Sequence, residues 1–225
     1  MCGITGLIIR KGRHVHREDV EKAAARLSHR GPDNVGYYFH ENVSLAHTRL
    51  SIIDLTGGDQ PLVPPDGNYA LVANGEIYNY IETGKLLADA GHVFTTRSDC
   101  ETIIHGYRHF GLDFVHHLNG MFAFALHDQR EGRLILSRDR LGIKPLFYTI
   151  LPAGGVAFAS EIKALLPFMK QTPVVNPAAL VQFFQSQFAG GRDTIIEGVH
   201  RVLPGEMIVV NRALQMTHSQ YWTSL

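Results

Sequence analysis

The sequence predicts an α+β fold in which two blocks of short antiparallel strands face each other and helices cover them. Strand-like apolar runs cluster in an early block (residues 4–9 and 36–74) and a later one (121–159). Helical spacing at 80–90 and 99–110 separates the blocks, and Gly, Asp and Pro-rich turns punctuate more strands than a doubly wound fold contains. A four-layer arrangement of two sheets between helices fits this pattern. Periodicity alone does not choose it over other α+β folds, so the function must be argued from the site.

Composition narrows the class. With 225 residues, 45% hydrophobic and 19% charged, the chain can bury a sizeable core as one large domain or as a domain with a tail. Basic and acidic residues number 21 each, so no net field draws it to nucleic acid or an anionic membrane; the expected partner is a small molecule or a protein. No apolar run approaches the ~20 residues that span a bilayer. The N-terminus lacks the basic start and long apolar stretch of a signal peptide, so a cytoplasmic location is expected. Two cysteines, Cys2 and Cys100, are too few for a disulfide framework.

In chain order, residues 4–9 read as a strand and 18–29 as a helix carrying Val20, Ala24 and Leu27 on one face, ended by Arg30-Gly31-Pro32-Asp33. Strands at 36–40, 43–47 and 69–74 follow, with a turn at Pro64-Pro65-Asp66-Gly67. The helix at 80–90 is closed by Gly91 and contains the weak helix former Gly84; the helix at 99–110 has Asp99 near its N-cap and Gly111 as its stop. Strands at 121–128, 133–138, 146–150 and 156–159 are broken by Gly132, Gly142 and Gly154-Gly155, and a helix at 161–166 ends at Pro167. Beyond it, a helix near 177–187 and a lone strand at 206–210 read as a linker region rather than a second domain.

Cys2 is the first residue with chemical promise. Removal of Met1 would place a thiol and an α-amine on one residue; an α-amine titrates near ~7.7–8.0 and a thiol near ~8.5, so the amine can accept the thiol proton and return one to a leaving amine. Alone, such a cysteine is as readily a small apolar residue at a strand start. Asn74-Gly75 is both a common hairpin dipeptide and a suitable oxyanion hole, because an amide and a glycine N–H can aim at one oxygen. Asp99 suits a helix cap, and Arg49 suits a surface ion pair. Thirteen histidines occur, but no pair at i,i+4 spacing carries the glutamate of the His-Glu-x-x-His pattern of a zinc hydrolase, so no metal site is expected; the cations of 138–144 read as a structural strand-turn segment.

Taken together, the motifs resemble those of the class II glutamine amidotransferases, which are N-terminal-nucleophile hydrolases. Cys2-Gly3-Ile4-Thr5-Gly6, Arg30-Gly31-Pro32-Asp33, Ala46-His47-Thr48-Arg49-Leu50-Ser51-Ile52-Ile53-Asp54, Gln60-Pro61-Leu62, Asn74-Gly75-Glu76-Ile77-Tyr78-Asn79 and Ser98-Asp99-Cys100-Glu101 occur in family order. Gly120 to Ala125, Arg138 to Leu146 and Ala159 to Leu165 continue it, so the resemblance covers residues 2–166. The Asn-Gly-Glu-Ile-Tyr-Asn wording is similar to the glutaminase half of asparagine synthetase. Residues 167–225 then resemble the end of that domain and its connector to a synthetase domain.

This resemblance implies an αββα sandwich and hydrolysis of L-glutamine to glutamate and ammonia through a Cys2 thioester. Asn74 and Gly75 would form the oxyanion hole. Arg49 would hold the substrate's α-carboxylate and Glu76 with Asp99 its α-ammonium, and Leu50, Ser51, Ile52 and Ile53 would also belong to the glutamine-binding site. No cofactor is implied for these residues. ATP and Mg²⁺ would belong to a synthetase domain of the same polypeptide, because a Ser-Gly-Gly-x-Asp-Ser phosphate loop does not occur here: the Gly-Gly pairs at 57, 154 and 190 lack the following Asp-Ser. A homodimer is compatible. The competing expectations are the glutaminase of another amidotransferase, such as a glucosamine-phosphate or phosphoribosylamine maker, and a non-catalytic binding or dimerisation module.

Overall fold

Every residue of the first strand, β1 (Gly3–Ile9), is buried, because it lies inside a sheet that is covered on both faces. The computed structural model describes residues 1–51 and 58–224. After β1 come α1 (Arg17–Ala25), β2 (Asn34–His40), β3 (Val43–Arg49), β4 (Tyr69–Ile77), α2 (Tyr80–Asp89) and α3 (Glu101–Phe110). Then follow β5 (Gly120–Asp128), β6 (Arg133–Arg138), β7 (Phe147–Ile150), β8 (Gly155–Ala159), α4 (Leu166–Met169), α5 (Pro177–Ser186), β9 (Val199–Arg201), β10 (Glu206–Val210) and β11 (Met216–Gln220). Six strands form one sheet in the order β2-β3-β1-β8-β7-β9, and five form the other in the order β11-β10-β6-β5-β4. Their pairings are antiparallel.

Three apolar clusters show the layering. Ile4, Ile8, Leu45 and Phe158 of the first sheet meet Val72, Ala125, Leu136 and Ile208 of the second, so this core lies between the sheets. Alternate residues of the same strands face outward: Leu7 and Ala157 meet Val20, Ala24 and Leu27 of α1, while Leu71, Phe124 and Ile135 meet Ile103, Ile104 and Tyr107 of α3. The two-residue strand period and the helical period thus join into the expected αββα sandwich.

The structure departs from the sequence expectation at four places. α1 stops at Ala25 and residues 26–30 turn rather than continue helically. The helix expected at 161–166 is a 3₁₀ turn (Ile162–Ala164) followed by α4, which contains Pro167; proline is tolerated there because first-turn N–H groups lack helical partners anyway. α3 begins at Glu101 without a side-chain cap, so Asp99 is not its N-cap. Finally, the tail is not a linker with one strand: β9 joins the first sheet, while β10 and β11 join the second. Buried Glu206 fastens it, accepting bonds from both Arg192 Nη atoms (2.7 and 3.1 Å) and Leu203 N (2.7 Å) and pairing with His218 Nδ1 at 2.8 Å.

Candidate active site

The site lies where the apolar inner faces of the two sheets turn polar. Along β3 the inward residue Leu45 is followed by His47 and Arg49, and along β4 the inward residues Ala70 and Val72 are followed by Asn74 and Glu76. Cys2 precedes inward-facing Ile4 by two residues. With Leu50, Asp99, Cys100, Met121 and Lys144, these residues line one cleft of about 100 Å³. A larger concavity of about 350 Å³ lies on the outer face of the first sheet, among Leu7, Leu151 and Phe168, away from Cys2. Convergent polar groups, rather than volume, mark the smaller cleft as the candidate site.

Cys2 is held from three sides. Its Sγ lies 3.4 Å from Leu50 N and 3.6 Å from Leu50 O, so Leu50 enters the site through its backbone. Arg30 Nε donates to the Cys2 carbonyl at 2.9 Å, and Arg30 Nη1 donates to Glu161 Oε1 at 3.0 Å. Ser160 locks Ile4, two residues after Cys2, accepting from Ile4 N at its Oγ (3.0 Å) and donating its N–H to Ile4 O (2.8 Å). Gly31 permits this arrangement, since a Cβ there would sit 2.3 Å from Thr48 O. The Arg-Gly-Pro-Asp segment is therefore a clamp on the backbone of Cys2. Sequence reasoning missed Glu161, because its partner lies 131 residues away in the chain.

Asn74-Gly75 is not a hairpin turn; it lies within β4, paired with Ala123 and Phe122 of β5. β4 is an edge strand, and its outward row of N–H groups meets unusual acceptors: Leu71 N reaches Leu62 O (2.9 Å), Ala73 N reaches Gln60 Oε1 (2.6 Å) and Ile77 N reaches Asp99 Oδ2 (2.6 Å). By strand alternation Gly75 N–H belongs to this row, between Ala73 and Ile77. Asn74 Nδ2 is buried and has no hydrogen-bond partner among the described residues. A backbone donor on an open edge and an unpaired amide on the adjacent residue supply the two donors that an oxyanion needs.

The charged residues divide the cleft into two ends. Arg49 is 6% exposed and its Nη1 is 2.5 Å from Asp59 Oδ1, so it already holds a carboxylate. At the other end, burial raises the Asp99 carboxyl above the usual range, against the donated Ile77 N–H. Burial also raises Glu76, the neighbouring Asp99 charge adds to that, and Lys144 opposes it. Burial pushes His47 down to about 4, leaving a neutral imidazole at physiological pH. Ser51 does not line the cleft; its N–H is held by Asp33 Oδ2 at 2.8 Å. Ile52 and Ile53 lie outside the described residues. Among the described residues, no group of three or more His, Cys, Asp or Glu side chains could hold a metal ion.

A family model described as a glutamine amidotransferase domain matches residues 1–222. The chain belongs to the glutamine amidotransferase domain family. It is 36% identical over 226 residues to a glutamine-hydrolysing asparagine synthetase of Bacillus subtilis, covering 99% of this chain and 35% of that protein. It is 37% identical over 236 residues to the amidase chry2 of Gibberella zeae, covering 99% of this chain and 34% of the relative. A Zea mays asparagine synthetase is 45% identical over 166 residues, covering 73% of this chain and 28% of the relative. The chain thus spans about a third of the length of these curated relatives. Among solved structures, a glutamine phosphoribosylpyrophosphate amidotransferase of B. subtilis superposes with a TM-score of 0.70 at 19% identity, covering 100% of this chain and 50% of that one. This amidotransferase domain therefore shares their sandwich fold and is homologous to the glutaminase domains of asparagine synthetases. No helix among the described residues is long and apolar enough to cross a membrane.

Proposed function

We propose that this domain hydrolyses L-glutamine to glutamate and ammonia by covalent catalysis at Cys2. The observation that carries the reading is the opening of the Cys2 thiol onto the same cleft as the unpaired Asn74 amide and the edge N–H of Gly75. The thiolate adds to the side-chain amide carbon, and Asn74 and Gly75 stabilise the oxyanion. The α-amine of Cys2 protonates departing ammonia, and water then hydrolyses the γ-glutamyl thioester. Met1 lines the cleft beside Cys2, and while it remains attached the Cys2 nitrogen is an amide and cannot act as a base. Removal of Met1 would both free the amine and widen the cleft.

In this reading Arg49 exchanges Asp59 for the substrate's α-carboxylate, a pairing suited to a guanidinium fork. Leu50 borders that end through its backbone, while Glu76 and Asp99 take the α-ammonium. The ammonia serves ATP-dependent asparagine synthesis from aspartate in a synthetase domain of the same polypeptide, which would hold the ATP and Mg²⁺. The asparagine synthetases among the relatives and the Asn-Gly-Glu-Ile-Tyr-Asn wording support that acceptor. A cytoplasmic location and a possible homodimer accompany this reading. The test is glutamate release from L-glutamine with intact-mass measurement. Activity is expected only in protein lacking Met1, and Cys2→Ala should abolish turnover while preserving the melting temperature. Wild-type turnover in Cys2→Ala would overturn the mechanism.

A further inference from the structure

Lys144 is the unexplained charge of the cleft. Lysine is rarely buried without a paired anion, yet Lys144 is 7% exposed and lines the cleft beside Glu76 and Asp99. Among the described residues it forms no ion pair within contact distance. Its position is built with care. Asp139, itself 1% exposed, accepts the Lys144 N–H at 2.9 Å together with those of Leu141 (3.1 Å), Ile143 (2.9 Å) and Phe122 (3.2 Å). Arg138 Nε donates to the Lys144 carbonyl at 2.7 Å, and its two Nη atoms donate to Gly142 O (2.6 Å) and Val202 O (2.9 Å). Two charged side chains are thus used to fix the backbone of a third. The strand-turn reading of 138–144 holds for Arg138 and Asp139 but leaves the Lys144 side chain without a structural task.

The other ionisable groups facing Glu76 do not supply the missing cation. His47 is neutral, Arg49 is engaged by Asp59, Cys100 and Asp99 bring no positive charge, and the α-amine of a trimmed Cys2 is occupied in proton transfer. Two carboxylates sharing a partly dry cleft disfavour each other's ionised form. A receptor for an α-ammonium needs both charged before substrate arrives. We propose that Lys144 is a positioning residue of this cleft, whose ammonium holds the Glu76 and Asp99 carboxylates together as the receptor for a substrate α-ammonium. This selects an α-amino acid amide over an amide that lacks the amino group. A flexible four-carbon stem lets the lysine withdraw as the substrate ammonium enters.

The inference rests on the glutaminase reading, and the experiment separates the two. Wild type, Lys144→Met and Lys144→Arg are compared for glutamate release from L-glutamine between pH 6 and 8.5, and for ammonia release from glutaramate, which keeps the amide and carboxylate but lacks the ammonium. Loss of a nearby opposite charge shifts a carboxyl by about one unit or more. The glutamine KM of Lys144→Met should therefore rise by at least about twofold between pH 8 and 6 while that of the wild type changes little, as protonation of the pair removes its charge. kcat should stay within about twofold, glutaramate kinetics should be unmoved, and Lys144→Arg should restore the wild-type profile. An unchanged or lowered glutamine KM, or an equal loss with glutaramate, overturns the role of Lys144. A wild-type chain that releases no glutamate overturns the glutaminase reading and this inference with it. Should Lys144→Met fail to fold, Lys144→Gln carries the same expectations.

Discussion

Gly75→Ala is the sharpest test of the oxyanion hole, because it perturbs one donor through the backbone. A Cβ at this position would sit 2.4 Å from Met121 O, 2.6 Å from Phe122 Cα and 2.8 Å from Phe122 Cβ. Two of these atoms are backbone of the central strand β5, which pairs with β4 and β6 and cannot yield easily. The strain must therefore push the edge strand β4 outward, carrying the Gly75 N–H and the Asn74 amide with it. Overpacking of this kind costs about 1–3 kcal/mol of stability. At about 2–4 °C per kcal/mol for a domain of this size, the melting temperature should fall by about 2–12 °C. Displacement of one oxyanion donor should lower kcat by about 10²–10³. Gly84→Ala is the contrasting control, since its Cβ would meet only Phe94 Cζ at 3.9 Å and a helix gains about 0.5–1 kcal/mol from the exchange. Both are measured by thermal melting and glutamate release. A Gly75→Ala protein with wild-type kcat would refute the assignment of this N–H to catalysis.

The remaining expectations follow from single side chains. Asn74→Ala should lower kcat by about 10²–10³ with a smaller change in KM, since its Nδ2 has no hydrogen-bond partner to lose among the described residues; steady-state kinetics check this. Arg49→Ala and Asp99→Ala should each raise the KM for glutamine, and unchanged KM in both would remove the two-ended clamp. Glu101 carries a pH signature: against the burial that would raise its carboxyl, bonds from His105, Thr96 and Thr95 hold it down to about 2. A depressed carboxyl contributes stability above its unfolded value near ~4.3, and loses it as pH falls toward 2. Glu101→Gln should therefore flatten the acid limb of a melting-temperature profile between about pH 4.5 and 2, by up to about 3 kcal/mol; an unaltered limb would show that Glu101 is not a source of it.

The fold was legible wherever burial imposed a period. β1, β3 and β5 read as strands because alternate residues meet different apolar layers, and α3 read as a helix because one face meets β4 and β5. The tail was less legible for physical reasons. β9 has three residues and no room for a pattern, and β11, Met-Thr-His-Ser-Gln, is a half-solvated edge strand whose only apolar residue is Met216. Cys2, Arg49, Asn74, Glu76 and Asp99 were recognised through their motifs, and the structure brings them to one cleft. Lys144 was hidden because Arg138, Arg140 and Lys144 look alike in sequence. In space Arg138 binds carbonyls, Arg140 is near the surface at His116 O, and only Lys144 reaches the cleft.

The placement of the site is a consequence of strand register. The same alternation that turns Val72 toward the core turns Asn74 and Glu76 into the cleft, so these polar groups sit on rigid, buried strands rather than on a loop. A one-residue slip of β4 would exchange them for Ala73, Gly75 and Ile77 and send the amide and carboxylate toward α3. Two features oppose that slip. The close approach of Gly75 to Met121 and Phe122 admits no side chain at that register position, and the Asp99 carboxylate fixes Ile77 N from outside the sheet. Asp99 therefore joins register to the proposed chemistry: the residue proposed to receive a substrate ammonium also fixes the strand that carries the proposed oxyanion donors. Its loss should loosen both ends of the cleft together, whereas the loss of Arg49 leaves β4 where it is.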